Sequence, residues 1–254
     1  MRLPRARLLE PFLGLAMLLL AWQAGASAMA KPILPGPLTV IPLFLKDLWG
    51  DLGLHFLASS GRVILAILIA VCTAAPLGLV LGQSPRAHAL FSPIITLLYP
   101  VPKIVFLPVI YVLMGISDFS KIFLISLILF FQILVVVRDE AASLTPELIA
   151  SVRSLGAGRR ALFRFVYLPA TLPAILTALR VSVGTAVAVL FIAEQALTQW
   201  GLGYYIVVET YQVLRYPEMY AGILAMGLLG SLLYGFIRII ERKFAPHLFI
   251  KDQE

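Results

Sequence analysis

Residues 148–169 read LIASVRSLGAGRRALFRFVYLP, a basic, glycine-centred stretch wedged between two long apolar runs. A chain that crosses a membrane repeatedly joins its helices by short turns, so a long polar connection with helical periodicity of its own needs a partner to explain it. The apolar runs around it decide the fold class. With 61% hydrophobic residues, 13% charged residues and a mean hydropathy of +0.97 over 254 residues, the chain has too little polar surface for an ordinary soluble domain. Several runs approach or exceed the ~20 apolar residues a helix needs to cross a ~30 Å hydrocarbon core, and the ~10-residue alternation of a membrane barrel is nowhere evident. The expected fold is an all-α membrane protein, a single transmembrane domain over residues 1–254 with its core at about 56–240. No internal repeat or low-complexity linker divides it.

Six spans are read, at roughly residues 9–29, 56–82, 90–114, 121–137, 169–195 and 218–240. With the N-terminus inside, the inner side holds Arg2, Arg5, Arg7, Arg86, Arg138, Arg153, Arg159, Arg160, Arg164, Arg238, Arg242, Lys243 and Lys251. Lys31, Lys46, Lys121 and Arg215 fall outside, while Arg62, Lys103 and Arg180 lie within spans. Thirteen against four is a strong positive-inside bias and places both termini in the cytoplasm. The net charge of +7 thus orients the spans, and nucleic acid is not an expected partner. The opening MRLPRAR, the apolar LGLAMLLLAW and the small residues Ala26-Ser27-Ala28 have the outline of a cleavable secretory signal. Removing that span would put the two ends on opposite sides and spoil the charge count, so it is read as the first helix. The Pro-rich residues 31–42 read as an outer loop, followed by an interfacial helix over about Leu43 to Leu54. In the third span Pro100, Pro102 and Pro108 each delete a helical hydrogen bond. Unwound backbone at membrane depth has to be buried in protein or line a cavity, so Pro100, Pro102 and the neighbouring Lys103 are candidate pathway residues. A simple packing kink accounts for the prolines equally well.

Within the opening segment, Thr145 suits an N-cap, Pro146 the first helical position and Glu147 the helix N-terminus, and Leu148, Val152 and Leu155 follow at i, i+4 and i+7. Gly156 then ends a short amphipathic helix, either as a left-handed cap or by leaving room for a close backbone approach, and Gly158 adds freedom for a turn. Ala161, Leu162, Phe165 and Val166 make a second apolar stripe flanked by Arg159, Arg160 and Arg164, up to Pro169, where the next span begins. Two short helices meeting at a glycine elbow are expected. Such a surface fits a protein cleft, with apolar side chains in a pocket and arginines at an acidic rim, and it fits an anionic lipid surface equally well.

Other chemistry is sparse. Cys72 lies in an apolar run and reads as a small core residue; alone it supports neither an intramolecular disulfide framework nor a cysteine-based zinc site. His55, His88 and His247 are far apart, without metal-ligand or triad spacing, and read as solvated or interfacial. No G-x-x-x-x-G-K-S/T phosphate loop is present, and Gly201-Leu202-Gly203 reads as an outer turn. A charge at mid-bilayer costs about 3 kcal/mol, so spans keep one only with a partner or a task. Structural pairing or snorkelling is expected for Arg62. Arg180 and Glu194 are 14 residues apart, about 21 Å of helix rise, so each needs a partner elsewhere. A membrane-embedded enzyme would need a clustered acid, base or nucleophile, and none is seen. On the residues alone, a stand-alone secondary transporter or channel with a lipid-lying loop remains an alternative to a transporter subunit.

The spacing of Gly156, nine residues, Val166, one residue, Leu168-Pro169 resembles the EAA loop of permease subunits of bacterial ABC importers. Its pattern is E-A-A, three residues, G, nine residues, I, one residue, L-P. Leu34-Pro35-Gly36-Pro37, Pro100-Val101-Pro102-Lys103, Leu107-Pro108, Gly115-Ile116, Ser120-Lys121-Ile122, Leu172-Pro173, Leu179-Arg180, Ala193-Glu194 and Gly201-Leu202-Gly203 extend the likeness to the nitrate, sulfonate and taurine type of permease. In that alignment the family's E-A-A falls on Ala150-Ser151-Val152, so the acidic residue is absent. The literal Glu140-Ala141-Ala142 lies ten residues too far from Gly156. The resemblance implies an inner-membrane permease, working as two copies, that imports a small, anionic solute delivered by an extracytoplasmic binding protein. It also implies that residues 140–168 form a cytoplasmic coupling loop docked on an ABC ATPase dimer. Leu148, Val152, Arg153, Leu155, Gly156, Arg159, Arg160, Leu162, Phe163, Val166, Leu168 and Pro169 are the docking candidates. The chain itself is expected to hold no cofactor and no metal; ATP and magnesium belong to the partner ATPase, and lipid surrounds the spans.

Overall fold

Proline, which lacks an N–H and has its φ already set for a helix, opens many of the helices here. In the computed structural model, residues 4–195 and 198–245 are described, residues 4–11 by backbone alone. Helices α1 (Pro4–Met29), α2 (Pro37–Asp47), α3 (Asp51–Gln83) and α4 (Pro85–Leu98) follow one another. After a 3-10 turn at Lys103–Phe106 come α5 (Leu107–Met114), α6 (Asp118–Ala142), α7 (Pro146–Ser154) and α8 (Arg159–Leu162). A π-helical turn at Phe163–Tyr167 leads into α9 (Leu168–Gln195). Then come α10 (Leu202–Tyr204), a second π-helical stretch at Tyr205–Tyr211 and α11 (Tyr216–Phe244). Proline occupies the first or second position of α2, α4, α5 and α7. No strand occurs among the described residues.

Five helical stretches are long and apolar enough to cross a membrane: Phe12–Met29, Asp51–Gln83, Asp118–Ala142, Arg159–Gln195 and Tyr216–Phe244. The third expected span, 90–114, is not one helix. It is the pair α4 and Lys103–Met114, bent by 79° at the break. The prolines explain the break, because Pro102 cannot donate to the Leu98 carbonyl and Pro100 cannot donate to that of Thr96. The interfacial helix is also displaced from the expected 43–54. It starts at Pro37 and stops at Asp47, and α3 already begins at Asp51.

The chain forms two compact units, one made of the residues up to Ala58 with Glu194–Gly227, the other of Ser59–Ala193 with the chain from Leu228 on. In the second unit α3 and α6 pack through small residues. Ala66, Ala70, Ala74 and Gly78 recur at every fourth position of α3 and are buried. A Cβ on Gly78 would lie 2.8 Å from the Val137 Cβ, and one on Gly82 would lie 2.5 Å from the Arg138 carbonyl oxygen. Between helices in lipid this close approach supplies the packing that hydrophobic burial does not. The Ser126 hydroxyl donates to the Ala66 carbonyl across the same contact at 3.2 Å. Cys72, expected to be a small core residue, is instead on the surface. It points off this row of small residues and is exposed, on a face suited to lipid.

In the first unit, Trp22 fastens α1. Its indole N–H donates to the Pro35 carbonyl at 3.0 Å and its ring stacks on Tyr220 with centroids 5.9 Å apart.

Candidate functional site

The elbow region is built as its backbone chemistry dictates. Thr145 is extended (φ −62°, ψ 134°) ahead of Pro146, although its hydroxyl makes no capping bond. Helix α7 closes with the Gly156 N–H donating to the Arg153 carbonyl at 2.9 Å, and Gly156 adopts φ +83°. A Cβ at Gly156 would meet nothing within 4 Å. Of the two reasons for a glycine there, the left-handed cap is therefore the operative one. Gly158 is extended (φ −77°, ψ 176°) and the Leu162 N–H donates to its carbonyl at 3.0 Å.

The second half of the segment is not a separate short helix. Residues Arg159–Gln195 run on as one 37-residue helical stretch with the π turn inside it. Pro169 sits just past that turn instead of starting a new helix; it cannot donate to the Phe165 carbonyl, and a π turn is the usual accommodation of such a lost bond.

Burial divides the predicted docking residues. No residue of α7 is buried; Leu148 is exposed, Val152 half-buried, and Leu155 is 85% exposed. Arg153, Arg159, Arg160 and Arg164 are all exposed, as are Phe163, Phe165, Leu168 and Pro169. Leu162 and Val166, by contrast, are buried inside the chain, with Tyr167 beside them. These two point inward, so they anchor the elbow to its own unit and leave the exposed apolar surface to Leu148, Leu155, Phe163 and Phe165. Helix α7 overhangs a groove of about 620 Å³ whose lining includes Gln83, Ala150, Arg153 and Tyr167. Glu140, Ala141 and Ala142 lie at the end of α6, where Ala141 is buried and its carbonyl accepts from the Gln83 amide.

At the broken span, Pro100 and Pro102 are exposed and Lys103 is half-buried. The Lys103 ammonium donates to the Leu98 carbonyl at 2.9 Å and to that of Tyr99 at 2.7 Å. It lies 4.4 Å from the Phe131 ring centroid. It thus replaces the donor that Pro102 withholds and places positive charge at the negative end of α4.

The other span charges find the partners that the sequence demanded without naming. Arg62 Nη2 lies 2.7 Å from Asp118 Oδ1, an oxygen shared with Lys121 at 3.6 Å. Arg180 Nε lies 3.0 Å from Glu241 Oε2 on α11, and the Thr177 hydroxyl donates to Glu241 Oε1 at 2.9 Å. The Gly203 N–H donates to the fully buried Glu194 at 3.0 Å.

A cluster that the sequence reading missed surrounds His55. This residue is 1% exposed, not solvated. Its Nδ1 accepts from the Gly201 N–H at 3.0 Å, and its Nε2 faces Glu209 Oε2 at 3.2 Å. Trp200, Tyr204 and Tyr205 stand around the ring at centroid distances of 5.1, 6.1 and 5.3 Å. Gly201, at φ +127°, does make a turn, but Leu202–Tyr211 beyond it is helical and largely buried. His88 is exposed, and His247 lies outside the described residues. No group of three metal-ligating side chains occurs among the described residues.

The pattern of the binding-protein-dependent transport system inner membrane component family matches residues 74–246. The taurine transport system permease protein TauC of Escherichia coli is 33% identical over 244 residues, covering 91% of this chain and 87% of that protein. The putative aliphatic sulfonates transport permease protein SsuC of Bacillus subtilis is 29% identical, over 90% and 83% of the two chains. The nitrate import permease protein NrtB of Synechocystis is 25% identical, over 94% and 90%. A chain from an inward-facing structure of the MetNI methionine ABC transporter superposes with a TM-score of 0.66 at 20% identity, over 79% of this chain and 98% of that one, which shows the shared fold. Pattern, relatives and span count agree: the chain belongs to the binding-protein-dependent transport family, as a multi-pass inner-membrane permease of an ABC transporter.

Proposed function

We propose that two copies of this chain form the pathway of an ATP-driven importer for a small anionic solute, a sulfonate, nitrate, bicarbonate or similar ion. Both termini face the cytoplasm, an extracytoplasmic binding protein delivers the solute, and a cytoplasmic ATPase dimer supplies the ATP and magnesium chemistry. The relatives named for taurine, aliphatic sulfonates and nitrate support the solute class. The observation that carries the coupling role is α7, a helix with no buried residue, followed by Leu155, 85% exposed, and a left-handed Gly156. Exposed apolar side chains rimmed by arginines suit a partner's cleft.

Motion passes from the elbow into the pathway through a stiff element. Because Arg159–Gln195 is one helical stretch, displacement of α7 by closing ATPases moves the start of a span directly, and Arg180 carries that movement to α11 through Glu241. The broken span lines the pathway, with Pro100 and Pro102 opening the backbone and Lys103 providing charge.

Co-purification tests the reading. Detergent-solubilised chain is expected to retain its ATPase partner, and Gly156→Asp or Leu155→Arg is expected to abolish retention and transport together. Failure of the unsubstituted chain to hold an ATPase, with transport untouched by both substitutions, overturns it.

A further inference from the structure

A second groove in the same unit, about 740 Å³ in volume, lies between the α3–α4 turn and the elbow. Three arginines from three different elements line it: Arg86 of α4, Arg153 of α7 and Arg159 of α8. None of the three has an ion pair or a side-chain hydrogen bond among the described residues. Asp139 is taken by Arg138 at 2.8 Å, and neither Glu140 nor Glu147 lines the groove. Three like charges converging on one concavity repel one another unless an anion sits between them.

The remaining walls say what kind of anion. Leu79, Val80, Leu162 and Phe163 make an apolar floor. Val80 is 50% exposed and belongs to the outward surface of the α3 span, which also exposes Leu77 and Leu68. The groove is at the end of that span, because Gln83 is the last residue of α3 and its amide donates to Ala141 at the end of α6. A cationic rim at the level where spans end, continuous with apolar span surface, matches a phosphate headgroup with acyl chains running down the helix. A free anion would gain nothing from the apolar floor.

We propose that this groove is a binding site for an anionic phospholipid, its phosphate held by Arg86, Arg153 and Arg159 and its acyl chains laid along α3 beside Val80. The site shares Arg153 and Arg159 with the coupling segment, so the bound lipid forms one wall of the surface that α7 presents. Because its occupant is lipid retained by the permease alone, the inference stands apart from ATPase docking.

Native mass spectrometry of the full chain in detergent, mixed with phosphatidylglycerol or with phosphatidylcholine, tests it. The chain is expected to retain phosphatidylglycerol about fivefold or more over phosphatidylcholine, and R86Q/R153Q to bring the two within about twofold of each other. The charge-matched control R160Q/R164Q removes two exposed arginines outside the groove lining and is expected to keep the preference; millimolar inorganic phosphate is expected to leave the lipid bound. An unchanged preference in R86Q/R153Q overturns the proposal, as does an equal loss in R160Q/R164Q, which would mean a merely basic surface. Displacement by inorganic phosphate would make it a free-anion site and also overturn it. So would an R86Q/R153Q chain that keeps the lipid preference while losing its ATPase, since the groove would then belong to a protein partner's carboxylates.

Discussion

Around His55 the chain turns its polar groups on one another, and around Gly156 it leaves them facing outward. The imidazole takes one hydrogen bond from Gly201 and meets Glu209, Tyr205 donates to Asp47 at 2.6 Å, and Glu194 receives the Gly203 N–H. All but the Glu194–Gly203 bond join residues about 150 positions apart, and together they hold Leu202–Tyr211 in place. At the elbow, by contrast, the hydrogen bonds are local, α7 buries nothing, and Arg86, Arg153 and Arg159 have no counter-ion among the described residues. Both regions contain a glycine at positive φ and both are rich in charge, so composition does not separate them. The difference is satisfaction: a region whose polar groups are met internally is stabilising the fold, whereas one that leaves apolar tips and cations uncovered is a surface made to be met by something else.

The largest effect on this contrast is expected from His55→Leu. It strands the Gly201 N–H and the Glu209 carboxylate and should cost about 2–3 kcal/mol, read as a lowered unfolding midpoint of the solubilised chain. An unchanged midpoint would show that the cluster does not hold the 202–211 helix. Leu155→Arg should do the reverse, leaving the midpoint within about 0.5 kcal/mol while weakening ATPase retention about tenfold or more. Equal losses of stability and docking would erase the distinction between the regions.

Tyr205→Phe should cost about 1 kcal/mol, the worth of a typical hydrogen bond. Burial, then the hydrogen bond and charge of Asp47, push the Tyr205 phenol above its ordinary pKa. A raised folded-state pKa means that this contribution is complete below the ordinary tyrosine pKa of about 10 and is lost as pH rises beyond it, since the unfolded phenol ionises first. Alkaline titration of unfolding should therefore show a fall in stability above about pH 10 that is shallower in Tyr205→Phe. The smallest effect is expected from Ala150→Glu, which restores the acidic residue of the family pattern three positions before Arg153. It should add only about 0.3 kcal/mol to α7 and alter ATPase retention by less than about threefold, measured side by side with the unsubstituted chain. A large gain would show that the acidic side chain, and not the elbow, carries the docking.

Much of the fold was readable because the bilayer imposes simple rules. Length and hydropathy located the spans; proline marked 100–102 as a break or a kink and the end of an amphipathic run marked Gly156 as a cap or a close approach, and the structure chose the break and the cap. The 14-residue argument for Arg180 and Glu194 was sound as far as it went: each found another partner. What stayed hidden depended on residues far apart in sequence. Nothing near His55 announces Gly201 and Glu209, some 150 positions away, and nothing near Arg180 announces Glu241. Leu162 and Phe163 are adjacent and equally apolar, yet one is buried and the other exposed. That assignment rests on the π turn ahead of Pro169 and on what the helix packs against.

By itself, then, the sequence determined that this is a helical membrane protein with a glycine-jointed segment between its spans, since hydrophobic length, backbone φ limits and proline's missing N–H act locally and leave their mark at each position. Only the tertiary structure decided which charges are paired, which glycines permit close helix contact and which arginines converge on a groove, because those outcomes depend on distances that no local pattern encodes.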